Sequence, residues 1–170
     1  YLMAKSFELQ MKEFENMTAA KSEKIFRKVC FDLSSSIIKD IPVDTARAKG
    51  SFFPEIDSIS TQVNGENDTD KTGNKSIAKV KSKTNGLKIG SYFSLTSNLD
   101  YIETLEFGLY PNPVKNGTPY QIADRDGFIT ETGFVKLSEN GFSKKAPAGF
   151  VGINVMRFQN FVNQANKDIK

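Results

Sequence analysis

Residues 77–95 read IAKVKSKTNGLKIGSYFSL, and the expected fold turns on them. Two runs, Ile77–Lys83 and Leu87–Leu95, flank Asn85-Gly86, the dipeptide favoured in two-residue type I′ turns. The spacing predicts an antiparallel hairpin. Leu87, Ile89, Phe93 and Leu95 then share one strand face, interrupted by Ser91, and that face is expected to pack on a helix. Lys79, Lys81 and Lys83 alternate along the first strand, with Lys75 and Lys88 close by. Such a row is either a basic stripe facing DNA or a subunit, or the solvent face of an edge strand, where lysines discourage sheet-to-sheet pairing. The second reading is the favoured one.

Upstream, residues 64–76 (NGENDTDKTGNKS) contain no apolar residue and read as a mobile loop. Before them lies IPVDTARAKGSF, residues 41–52. Pro42 cannot continue a helix and biases Ile41 away from helical angles. Asp44 or Thr45 can cap a short new helical turn, and Gly50 can end it in a left-handed conformation. A phosphate cradle would need glycines grouped ahead of a helix, whereas here one glycine follows Arg47 and Lys49. A structural turn is the stronger reading.

Phe7, Met11 and Phe14 recur at helical spacing, as do Phe26, Val29, Leu33 and Ile37. One or two amphipathic helices therefore cover roughly residues 6–40; if two, they divide at Asn16-Met17-Thr18, with Thr18 as cap of the second. At the other end, Val151, Val155, Phe158, Val162, Ala165 and Ile169 form one apolar stripe. Between them, residues 110–146 carry Pro111, Pro113 and Pro119 and turns at Asn116-Gly117, Asp126-Gly127 and Asn140-Gly141. Short strands at Gly127–Thr130 and Gly133–Leu137 fit there, as an extended β-hairpin arm or long loop. The expected class is α+β: a small antiparallel sheet against a long N-terminal helix and a C-terminal helix. Met3 reads as a natural start, leaving Tyr1-Leu2 as a remnant and residues 3–170 as one domain.

The 170 residues carry 23 Lys+Arg against 20 Asp+Glu, a net charge of +3, too mild for a strong grip on a duplex. With no His and one Cys, His/Cys metal sites and Ser-His or Cys-His catalysis are excluded. Cys30 lies in the apolar pattern of the first helix and reads as a buried thiol. A lone cysteine forms no internal disulfide framework, which fits a reducing compartment or a virion. No apolar run approaches the roughly 20 residues that span a bilayer, and no cofactor is expected. Glu103 and Glu106 stand three apart, as a carboxylate pair on a helix would, but no sugar platform accompanies them. Solvated or paired carboxylates are the favoured reading.

The ordered motifs PVDTARAKGSF, NLDYIETLEFGLYP and APAGF resemble those of the tail-completion or minor tail proteins at the neck of long-tailed bacteriophages and prophages. The matching positions are Pro42, Val43, Asp44, Thr45, Arg47 and Ser51, then Tyr101, Glu106, Phe107 and Gly108, then Pro147. The likeness spans about residues 7–165. The chain departs from the pattern at Ala46, where a glycine is usual, and this predicts a turn without a positive φ. Leu109 replaces a common Thr, and the segment from Tyr110 to Lys145 is longer than the family minimum.

The resemblance implies a structural, non-enzymatic virion protein with no cofactor, related to tail-terminator-like ring proteins. It implies a ring of copies of itself, as a hexamer, that completes the tail tube or joins it to the head connector. Its partners would be connector, terminator and tail-tube proteins, with DNA passing unrecognised through the lumen and no membrane. Assembly would occur in the host cytoplasm. A nucleic-acid-binding accessory protein using Lys75–Lys88 is the alternative.

Overall fold

In a computed structural model, the description covers residues 7–43, 46–63, 70–109, 119–123, 129–134, 141–143 and 146–169. The expected α+β arrangement is present: a long N-terminal helix, a small antiparallel sheet and C-terminal helices packed together.

Helix α1, Phe7–Asp40, is one unbroken helix of 34 residues, about 51 Å long at the usual rise. Of the two readings, one helix or two, the single long helix is the one present, with no division at Asn16–Thr18. Nothing there forbids helical angles, and the cap a Thr can offer is no reason to stop a helix by itself. The C-terminal half of α1 carries the core residues Ile37 and Ile38, followed by Ile41 just beyond it. Pro42 lies directly after, where the chain leaves the helix as the proline requires.

Helix α2, Arg47–Gly50, is a single turn. It inverts the sequence expectation. The left-handed residue is Ala46 at the start (φ 71), while Ser51 closes the turn in a right-handed conformation. Thus the absence of glycine at position 46 does not mean the absence of a positive φ. Asp44 and Thr45, the expected caps, lie outside the described residues, and α2 shows no side-chain cap at Ala46.

Strand β1, Phe53–Ile56, pairs antiparallel with β2, Phe93–Thr96, in the register Phe53↔Thr96 to Ile56↔Phe93. Between them, Asn74–Asn85 forms helix α3, not the first strand of a hairpin. Ser76, Val80 and Thr84 recur every four residues and are the buried positions. Thr84 returns its hydroxyl to the Val80 carbonyl at 3.0 Å, so this polar side chain is buried at little cost. Gly86 follows α3 with φ −87, outside type I′ geometry. Leu87 is fully buried but Ile89 is exposed, so the expected common strand face is divided.

Only residues 70–76 of the loop expected at 64–76 are described, and 74–76 belong to α3. The Asp70 carboxylate accepts the N–H groups of Thr72 and Lys75 at 3.0 and 2.7 Å, immediately before α3. Accepting these bonds holds the Asp70 carboxyl at about 2, below the ordinary 3.8.

Helix α4, Ile102–Phe107, follows β2. A second sheet pairs β3, Pro119–Ala123, with β4, Ile129–Phe134, as the expected hairpin arm. One strand spans 129–134 where two shorter ones were expected on either side of Glu131-Thr132. The C-terminal stripe divides into α5, Gly152–Met156, and α6, Phe158–Asp168, at Arg157. Ala165 is buried, but Val155 and Phe158 are exposed.

Phe150 is fully buried and meets Phe52 edge-on, their rings 6.2 Å apart. Around them Leu99, Leu105, Ala48 and Val80 complete the core with the α1 isoleucines. Among the described residues no helix is long and apolar enough to cross a membrane.

Candidate functional site at the α4–α5 junction

Helix α4 is short because Gly108 stops it. Gly108 adopts φ 65, and Leu109 returns its N–H to the Thr104 carbonyl. A β-carbon on Gly108 would stand 2.5 Å from the Phe142 ring, so glycine here satisfies both the turn and a close approach.

On the last turn of α4, Glu106 faces the segment that opens α5. Its Oε2 accepts the N–H groups of Phe150 and Val151 at 2.8 Å, and Oε1 accepts that of Gly152 at 2.7 Å. These are main-chain donors at the start of α5 that no residue of the helix itself can satisfy. A carboxylate there meets both the free donors and the positive end of the local dipole. Both Glu106 oxygens are therefore engaged in holding the fold. Glu103, three residues earlier, remains exposed and lines a cleft of about 420 Å³ with Ile102, Phe107, Phe150, Val151 and Val155.

The other motif residues converge on the same region. Ser51 is fully buried, donates to the Ala48 carbonyl at 2.7 Å and shares a hydrogen bond with the Ser97 hydroxyl at 2.7 Å. Tyr101 packs against the core at the start of α4. Pro42 and Pro147 line one cavity with Lys39, Asp40, Lys49 and Gly149. Arg47 opens α2 and is half-buried. Phe107 is exposed at the cleft rim.

Two further residues bind this junction: Lys49, legible in the sequence only as a cation of the turn after Pro42, and Asn154, which carried no mark there. Lys49 is buried and donates its ammonium to the Lys39 carbonyl at 2.8 Å, at the negative end of α1. Asn154, also fully buried, donates to the Asp40 carboxylate at 2.8 Å and to the Phe150 carbonyl at 2.7 Å. Lys49 reads as one more surface cation of its turn, and an asparagine between Ile153 and Val155 belongs to no motif.

The lysine row is redistributed by α3. Lys75, Lys79 and Lys83 recur every four residues on one side, and Lys81 stands on another. Lys79 lies over the Phe53 ring at 5.2 Å, and Lys83 pairs with Glu55 at 2.5 Å. The expected alternating strand stripe is thus absent.

Comparison with protein-family models, curated proteins and solved structures finds no match to this chain.

Proposed function

We propose that this chain is a structural subunit of a long-tailed bacteriophage or prophage virion. In this reading it forms a ring that caps the tail tube or joins it to the head connector, with DNA passing through the lumen. The observation that carries the proposal is the convergence of three distant segments. The turn after Pro42, the α4 segment ending in Glu106-Phe107-Gly108, and the stretch after Pro147 form one junction. Motifs that build such a junction belong to a scaffold, and the resemblance supplies the kind of scaffold. The β3–β4 hairpin lies outside the β1–β2 ladder, and strand addition along an arm of this kind supplies main-chain bonds across a subunit boundary.

Mass photometry and negative-stain microscopy of the purified protein test this, together with mass spectrometry of purified virions. Discrete rings and presence in virions are expected. A strict monomer that is missing from virions would overturn the reading.

The second reading, an accessory protein that binds nucleic acid, draws on the Lys75, Lys79 and Lys83 row. It is weaker because Lys83 is neutralised by Glu55. It requires an affinity for duplex DNA that falls steeply with salt, and no binding at low salt removes it.

A further inference from the structure

Among the described residues, two apolar surfaces stand out as left without a mate. The first is on α1, where residues 11, 12 and 14–22 are all exposed. Met11, Phe14 and Met17 lie there at three-residue steps, 43%, 65% and 71% exposed, and form one ridge of the helix. A helical stretch of this length is marginal in water unless its apolar side packs on something. The second surface is the concave cleft between α4 and α5, floored by Phe150 and Val151 and opened to solvent by Phe107 and Val155.

These surfaces cannot meet within one molecule. Phe150 belongs to the core cluster that contains Ile38. Phe14 lies 24 positions before Ile38 on the same unbroken helix, a rise of about 36 Å. The ridge therefore reaches a cleft of this kind only on another copy. Lys21 and Lys24, which continue the ridge side of α1 beyond Met17, and Glu103 on the cleft rim are exposed and opposite in charge.

We propose that the α1 ridge of one copy seats in the α4–α5 cleft of the next. The contact is heterologous, since different surfaces of the two copies meet, and it propagates head to tail into a ring or filament. It goes beyond the virion reading by naming the two surfaces, and it can fail without that reading failing.

Cross-linking tests it in a Cys30→Ser background. One preparation carries Phe14→Cys and the other Val155→Cys, both at exposed positions. The expected result is a disulfide-linked pair on mixing, absent from either preparation alone. A pair formed by Phe14→Cys alone would show α1–α1 packing and overturn the proposal, as would no pair in the mixture. In the chain with Cys30 intact, Phe14→Glu and Val155→Glu are each expected to weaken self-association by roughly tenfold or more in Kd, with helical circular dichroism unchanged. Rings that persist in both variants would overturn the contact while leaving the ring reading in place.

Discussion

A β-carbon on Gly149 would stand 2.5 Å from the main-chain oxygen of Glu106 and 2.9 Å from its carboxylate. Gly149 also adopts φ 74. The turn before α5 therefore closes onto the end of α4 only because position 149 has no side chain, and this closeness lets Glu106 reach the next three main-chain N–H groups. Glu106 and Gly149 thus act as one clamp.

Removing the carboxylate with Glu106→Ala leaves the Phe150, Val151 and Gly152 donors without this acceptor. The expected loss is about 2–4 kcal/mol of stability. Glu106→Gln, which keeps one acceptor oxygen, should cost less. Gly149→Ala should cost a similar amount through strain and overlap. Because the two residues share one clamp, the double variant should lose less than the sum. Urea denaturation of these four variants measures this, and simple additivity of the double variant would show that the sites are independent.

Ala46 holds φ 71 and is almost fully buried. Ala46→Gly relieves the left-handed strain but loses a buried methyl and gains unfolded-state entropy, so it should change stability by less than about 1 kcal/mol. Ala46→Val, β-branched and larger, should cost more than about 2 kcal/mol. Thermal unfolding of both variants checks the contrast.

Asp70 accepts main-chain N–H groups before α3, and its folded pKa is lowered from 3.8 to about 2. A depressed carboxyl contributes stability above the unfolded value, which is lost as pH falls through the folded one. Protection of the α3 amide protons should therefore weaken as pH drops from about 4 to about 2, and Asp70→Asn should remove that dependence. Amide exchange followed by NMR across this range is the check.

Burial pushes the Cys30 thiol up to about 11 from 9.0. In the native chain its alkylation by iodoacetamide should remain slow at pH 8 and rise with a midpoint well above that of an unfolded control. Cys30 is half-buried on α1 rather than fully buried as its apolar neighbours predict, and equal rates in the two states would contradict even that shielding.

The first helix and its stop at Pro42 were legible because isoleucines, phenylalanines and a proline declare themselves by period and geometry. Helix α3 was not. Its core-facing positions are Ser76, Val80 and Thr84, and two of the three are polar. The apolar period was therefore invisible, while the alternating lysines and Asn85-Gly86 imitated a hairpin. The clamp was half legible: Glu106, Gly108 and Pro147 stood out as motif residues, but the partners of Glu106 are main-chain groups, which no side-chain pattern reveals. Ala46 misled because a residue type excludes little about φ when surrounding packing fixes the turn.

The most direct test of the account is the mass of the wild-type protein in solution, read by mass photometry across concentrations with negative-stain images of the same sample. A ring-forming subunit should give a discrete assembly of several 18.9 kDa chains, seen end-on as closed rings. A single species with the mass of one chain at every concentration would contradict it.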